Sequence, residues 1–228
     1  MADAGFLFTA AEAASALGAS LVGSAEARIV SVVVDSRQVA PLSLFVALPG
    51  AKVDGHEFAN AALAAGASCV LARADRRAFL EPAVVASPGA AFLFVGDVLV
   101  ALQALARAHR RRFPSILRVG ITGSSGKTTT KECAAAILGK SRKLVMNPGN
   151  LNSDIGLPLS IFAMRESHEI GVFEMGMNRA GEMGELAAVY EPDIALITNV
   201  GIAHIGIIGS RDKIAQEKKN VFSRFDGS

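Results

Sequence analysis

Two hydrophobic periodicities alternate along the chain. Stretches rich in β-branched and apolar residues, "ARIVSVVVDS" (27–36), "SLFVALPG" (43–50), "SCVLARA" (68–74) and "AFLFVGD" (91–97), are bounded by Gly, Pro, Ser or Asp and predict strands. Between them, "HEFANAALAAGA" (56–67) has helical spacing and a glycine stop. "VLVALQALARAHRRRF" (98–113) is an amphipathic helix with its basic residues in the last turn, where positive charge complements the helix dipole. The run Arg110, Arg111, Arg112 therefore predicts a solvated helix end, not an anion site. Pro114 stops this helix, and the domain boundary is expected there, dividing residues 1–113 from 114–228.

The alternation resumes with strand "ILRVGIT" (116–122), a loop, and a helix running to about Leu138, ahead of Gly139. Strand "KLVMN" (143–147), polar loop "NPGNLNSDIG" (147–156) and strand "EIGVFEMG" (169–176) follow. Helix "GEMGELAAVY" (181–190), strand "DIALITNV" (193–200) and a last helix from about Ser210 complete the pattern. Repeated β-α-β with apolar strands predicts an α/β chain whose parallel sheet is covered on both faces. Ligands bind such sheets at the carboxyl ends of the strands. Gly123 to Lys127, Glu174 and Asn199 all fall at those ends.

Composition narrows the function classes. The 228 residues are 51% hydrophobic and 19% charged, with a net charge of +2, which offers no broad basic face and predicts no nucleic-acid partner. Two cysteines, Cys69 and Cys133, lack any partner motif, so reduced thiols are expected and not a disulfide framework or zinc site. The most apolar stretch, from Ala83, is interrupted by Pro88, Asp97 and Gln103, which leaves no clean membrane span of about 18 residues. "MADAGFLFTA" lacks a basic start followed by an apolar core, so no signal peptide is expected. A soluble, cytoplasmic monomer is the expectation.

The segment "GITGSSGKTTTKE" (120–132) carries the chemistry. A buried strand runs into Thr122, Gly123, Ser124, Ser125 and Gly126, and Lys127 opens a helix. Glycines let backbone N–H groups turn toward an anion, and the helix N-terminus adds about half a positive charge. Lys127 would reach the β- and γ-phosphates of a nucleotide, and the Thr128 hydroxyl is placed to ligate magnesium. The usual loop of this type has glycine five positions before its Gly-Lys pair, where this chain has Ile121, so the loop is a variant. Glu174 is a candidate magnesium ligand at the next strand's end. His204, alone in a small-residue loop, fits a packed residue as well as a ligand. Lysines 213, 218 and 219 read as a solvated helix face. The residues alone thus reach an ATP and magnesium site without identifying what accepts the phosphoryl group.

At these residues the sequence resembles the Mur ligases, ATP-dependent amide-forming enzymes of peptidoglycan precursor synthesis. Their loop, T-G-[ST]-x-G-K-T-T, is matched by "TGSSGKTT" and also dispenses with the upstream glycine. "NPGNLNSDIGLPLS" resembles the family's G-N-x-N-x-x-x-G-x-P segment, and "GSRDKIAQEKKNVF" the helix with a carbamylated lysine. "FEMGMNRAGEMGELAAVYEPDIALITNVGIAH" resembles the branch that joins D-Ala-D-Ala to UDP-N-acetylmuramoyl-tripeptide, and "DSRQVAPLSLFVALPGAKVDGHEF" resembles the uridine-nucleotide-binding domain which that branch shares with the one adding the third amino acid. The resemblance implies a UDP-sugar-binding first domain, then the first part of an ATP-binding domain, truncated in this chain. It implies that Lys127, Thr128 and Thr129 engage ATP phosphates and magnesium. Glu174 would bind a first Mg2+, and His204 with a carbamate on Lys218 a second; the modification could instead fall at Lys219. Asn150 and Asn152 would line the substrate and phosphate region. Ser36, Arg37, Asp54, Gly55 and His56 would hold the UDP-sugar.

Two departures accompany the resemblance. Gly206 stands where the family commonly has an acidic residue, and the chain stops at Ser228, so it is expected not to complete ligation alone. A rival branch adds the third amino acid to UDP-MurNAc-dipeptide, but "NVGIAHIG" lacks its aspartate near the histidine. Folate polyglutamate and cyanophycin ligases share the loop but not the first domain. A non-catalytic nucleotide or UDP-sugar-binding module is the alternative of another class.

Overall fold

The structure is a computed structural model and describes residues 5–50 and 53–225. The start of "MADAGFLFTA", Ala51 and Lys52, and the end of the chain lie outside the described residues. The chain divides into two compact units, Met1–Leu105 and Ala106–Ser228.

In the first unit a short antiparallel pair joins β1 (Phe8–Thr9) to β3 (Arg28–Ile29). Between them α1 (Ala10–Leu17) starts on a reciprocal cap: the Thr9 hydroxyl accepts from the Glu12 amide at 3.1 Å, and the Glu12 carboxylate accepts from the Thr9 amide at 2.7 Å. The main sheet contains β2 (Ser20–Gly23), β4 (Ser31–Val33), β5 (Ser43–Val46), β6 (Cys69–Arg73) and β7 (Ala91–Val95), in the order β2-β7-β6-β5-β4. All its pairs are parallel except β2 with β7. Cys69, Val70, Leu71 and Ala72 are all buried, so β6 is covered on both faces. Its core includes Phe45, Leu80, Phe92 and Phe94, with α2 (Ala59–Ala64) contributing Ala59 and Ala62. Helix α3 (Arg77–Val85) follows β6. Burial pushes the Cys69 thiol up to about 12, so it stays a protonated thiol at neutral pH, whereas Cys133 is exposed.

Helix α4 (Val98–Arg110) contains the division between the units, ahead of Pro114, because its last turn is held by the second unit. His109 Nε2 lies 3.0 Å from the Met164 carbonyl. Arg110 is 2% exposed and donates to the Val189 carbonyl at 3.2 Å and the Glu191 carboxylate at 2.5 Å. Arg111 and Arg112 are exposed as expected, but Arg110 is not part of a solvated helix end. It lies along the inward stripe of an amphipathic helix, where a cation must be paired.

The second unit is a parallel sheet in the order β11-β8-β10-β9, built from β8 (Leu117–Thr122), β9 (Leu144–Met146), β10 (Ile170–Glu174) and β11 (Ile194–Ile197). The helices are α5 (Lys127–Leu138), α6 (Gly156–Ile161), α7 (Glu182–Tyr190), α8 (Ile205–Ile208) and α9 (Arg211–Lys219). Helix α6 follows the predicted loop 147–156 in a stretch to which the patterning assigns no element; its Pro158 falls in the first turn, where proline is tolerated. Among the described residues, no helix is long and apolar enough to cross a membrane.

Tyr190, the only tyrosine in the sequence, is fully buried, and its hydroxyl donates to the Gly171 carbonyl at 2.9 Å. Burial raises its pKa well above the ordinary value. The folded state therefore favours the protonated phenol, a contribution present in full below the unfolded-chain value of about 10 and lost as pH rises beyond it. We expect the 295 nm tyrosinate step of the 228-residue chain to coincide with alkaline unfolding followed by circular dichroism. A tyrosinate step near pH 10 in a folded chain would contradict this burial.

Candidate active site

Strand β8 delivers Thr122 into the phosphate loop with its side chain buried; among the described residues its hydroxyl has no hydrogen-bond partner. Gly123 has φ 151°, and a Cβ there would stand 1.9 Å from the Thr198 hydroxyl, so only glycine fits. Gly126 caps α5 with φ 78°, and the Lys127 ammonium reaches back to the Gly123 carbonyl at 3.0 Å. The segment after β11 clamps this loop from the side. Asn199 accepts from the Ser124 amide through its carbonyl (3.1 Å) and from the Ser125 amide through its Oδ1 (3.1 Å), and it donates to the Ser125 hydroxyl at 2.7 Å. The Thr198 hydroxyl donates to the Ser125 carbonyl at 2.6 Å, and the Gly201 amide donates to the Ser124 hydroxyl at 2.9 Å. Asn199 is thus a support for the loop's shape, and preorganised N–H groups are what such a loop needs to hold an anion.

At the end of β10, the Glu174 carboxylate is 2% exposed. It accepts from the Thr128 hydroxyl at 2.7 Å and from Asn152 Nδ2 at 2.6 Å. The backbone of Glu174 is gripped at both ends by Asn147: its amide donates to Asn147 Oδ1 at 2.9 Å and its carbonyl accepts from Asn147 Nδ2 at 3.0 Å. Gly176 is close behind, where a Cβ would meet Asn152 Oδ1 at 2.7 Å. A hydroxyl and a carboxylate side by side form a hard oxygen donor pair, which fits Mg2+.

The other expected residues divide. Asn150 and Thr129 are exposed, and Asn150 offers its carbonyl to the Asn152 amide at 2.8 Å. His204 is half-buried and adopts a left-handed backbone, φ 65°, where it opens α8. Lys213 and Lys219 lie on the solvated face of α9, but Lys218 is 1% exposed, which separates it from Lys219 as the lysine facing the interior. Its pKa falls to about 8, chiefly from burial and next from the charge on Lys127. As an ammonium, Lys218 would repel a metal ion, whereas a derivative carrying a carboxylate would offer the hard oxygen donors that Mg2+ takes. Among the described residues no cluster of three or more His, Cys, Asp or Glu stands ready for a metal.

The residues expected to hold a UDP-sugar belong to the first unit. A cavity of about 500 Å³ there is lined by Ser36, Arg37, Phe45, Leu48, Gly55 and Phe58, among others. Asp35 and Asp54 cap the short helical turns bordering it by accepting from the Arg37 and His56 amides, at 3.0 and 3.1 Å. Arg37 folds back on Asp35, holding that carboxyl down at about 2. His56 is buried; its Nε2 accepts from the Arg73 amide at 3.0 Å and its Nδ1 therefore donates to Asp54 at 2.5 Å, which selects one neutral tautomer. Ser36, Arg37 and Gly55 thus face the cavity, while Asp54 and His56 brace it.

Sequence reasoning missed Asn147, Lys131, Thr198 and Glu217. Lys131 is fully buried and donates to the Asn147 carbonyl at 2.8 Å. The Glu217 carboxylate accepts from the Gly181 and Met183 amides at 2.9 and 3.0 Å, capping α7 from α9. Each acts on an element distant in sequence, so no local spacing marks it.

Because the space beside Gly123 is filled by Thr198, Gly123→Ala is expected to weaken ATP binding by at least about tenfold, or ~1.4 kcal/mol, in an equilibrium fluorescence titration. Unchanged affinity in a folded variant would refute the clamp.

Residues 28–110 match the family described as "Mur ligase family, catalytic domain", and residues 121–227 match "Mur ligase middle domain". The UDP-N-acetylmuramoyl-tripeptide–D-alanyl-D-alanine ligase of Treponema pallidum is 52% identical over 194 residues, which cover 84% of this chain and 42% of that protein. The crystal structure of MurF from Acinetobacter baumannii aligns with a TM-score of 0.86 at 30% identity, covering 95% of this chain and 46% of that one. MurF ligase from Thermotoga maritima, in complex with ADP, aligns with a TM-score of 0.73 at 35% identity, covering 86% and 43%. The chain thus spans less than half the length of these relatives. With matched segments in both units and the phosphate loop facing a buried glutamate, the chain belongs to the Mur ligase family.

Proposed function

We propose that the protein carrying this chain is an ATP-dependent ligase that joins D-Ala-D-Ala to UDP-MurNAc-tripeptide in the cytoplasm, acting as a monomer. The observation that carries this reading is the contact between Thr128, one residue into the phosphate-loop helix, and the buried Glu174 carboxylate, in a chain 52% identical to a ligase of that name. Residues 1–113 would bind the UDP-sugar and residues 114–228 would begin the ATP-binding domain.

In this reading the terminal carboxylate of the tripeptide attacks the γ-phosphorus of ATP. The bond to the bridging oxygen breaks, ADP leaves, and the resulting acyl phosphate is opened by the D-Ala-D-Ala amine, releasing phosphate. Two anions must meet, so the site must supply positive charge where they approach. Lys127 would leave the Gly123 carbonyl for the β- and γ-phosphates, and the loop amides would hold the phosphate oxygens. Thr128 and Glu174 would hold one Mg2+, and His204 with a carbamate on Lys218 a second; bound magnesium supplies charge neutralisation at the transferred phosphoryl group. The depressed pKa of Lys218 leaves a larger share of neutral amine at pH 7 than an exposed lysine has, and neutral amine is the form that adds CO2. Asn152 would keep Glu174 oriented, and Ser36, Arg37 and Gly55 would contact the UDP-sugar.

The test is phosphate release from Mg-ATP by the full-length protein, with UDP-MurNAc-tripeptide and D-Ala-D-Ala or with UDP-MurNAc-dipeptide and a diamino acid. Turnover with the first pair alone is expected, and Lys127→Ala should lower it by at least about 100-fold. Turnover with the second pair alone would reassign the substrate, and turnover with neither would leave a binding module.

A further inference from the structure

Lys131 is the most thoroughly buried cation among the described residues, with 0% exposure, and the reaction outlined above gives it no role. It lies one turn beyond Lys127 and Thr128 on α5. Its ammonium donates to the Asn147 carbonyl at 2.8 Å and the Gly149 carbonyl at 3.3 Å, and a Glu132 oxygen lies 3.3 Å away. A buried ammonium is costly unless its hydrogen bonds are satisfied, so this arrangement persists only if the 147–149 backbone stays in place. Asn147 is fully buried as well, and beyond gripping both backbone groups of Glu174 its Nδ2 donates to the Leu151 carbonyl at 2.8 Å. Leu151 precedes Asn152, which donates to the Glu174 carboxylate.

We propose that Lys131, acting through Asn147, is a positioning residue that sets the Glu174 carboxylate against Thr128. The inference rests on the reading of Thr128 and Glu174 as a magnesium-binding pair. The helix that presents the phosphate loop thereby also fixes, one turn further on, the loop and carboxylate across from it. An apolar side chain of similar length would fill the same space but leave three acceptors without their cation. The Asn147 turn would then relax, and with it the orientation of Glu174. Groups behind a ligating carboxylate affect metal affinity by about 10- to 100-fold when removed.

The experiment is a Mg2+ titration of the binding of a fluorescent ATP analogue to the full-length protein, compared with thermal stability. Lys131→Met is expected to raise the Mg2+ concentration for half-maximal binding by about tenfold. Lys131→Gln, whose amide still donates to the Asn147 carbonyl, should give a smaller rise. Leu186→Ala, a core truncation in α7, serves as the stability control and should lower the melting temperature while leaving the Mg2+ requirement unchanged. A folded Lys131→Met protein with the wild-type Mg2+ requirement overturns the proposal; if that variant does not fold, an unchanged requirement in Lys131→Gln does so. A rise in Leu186→Ala equal to that in Lys131→Met also overturns it, since lost stability alone would then explain the effect. The readout is binding, so it is independent of turnover. A wild-type protein that binds Mg-ATP but ligates nothing defeats the ligase reading, while the titration still decides the role of Lys131.

Discussion

A carboxylate removed from water must be met by donors or it takes up a proton, and at Glu174 that requirement organises the second unit. Two donors reach the carboxylate, Thr128 at the start of α5 and Asn152 in the loop after β9, while Asn147 holds the Glu174 backbone through both its amide and its carbonyl. A parallel sheet makes this convergence possible, because all its strands end on the same edge and the loops that follow share that edge. Small residues are forced by the same geometry. Gly123 leaves room for Thr198 and Gly176 for Asn152, and a methyl group at either would push apart the elements that the polar contacts hold together.

Three lysines of the second unit lie at graded depth. Lys127 is half-buried and turned onto its own loop, Lys218 is buried with its pKa lowered to about 8, and Lys131 is enclosed and bound to carbonyls. The depression at Lys218 has burial as its first cause and Lys127 as its second, which indicates that the two ammonium groups feel one another. Two ammonium groups that repel one another favour an anionic neighbour over a neutral one.

Much of this was legible in the sequence where the chemistry is local. The strand, glycine loop and helix of residues 117–138 are contiguous, and Glu174 ends an apolar run, so both could be read from spacing. The capping pair Thr9 and Glu12 is equally local, three residues apart. Other features depend on partners far along the chain. Arg110 reads as a solvated helix end until Val189 and Glu191 are seen beside it, and nothing in the local spacing marks Lys131 before Asn147 is seen to accept from it. Lys218 and Lys219 are equivalent as letters; only the phase of α9 buries one and exposes the other. The UDP-sugar residues came from resemblance alone, and of these Ser36, Arg37 and Gly55 line a cavity.

His204 illustrates how a residue with an ambiguous sequence context acquires a defined place. Its left-handed backbone costs about 1 kcal/mol for a residue with a side chain, so the conformation must be held by its surroundings. On one side, the Ile207 and Ile208 amides donate to its carbonyl at 3.0 and 2.9 Å, turning the chain into α8. On the other side, Gly201 is tied to Ser124 and Asn199 to Ser125, so the segment leading into His204 is anchored on the phosphate loop itself. The strained turn and the phosphate loop therefore share one hydrogen-bonded frame.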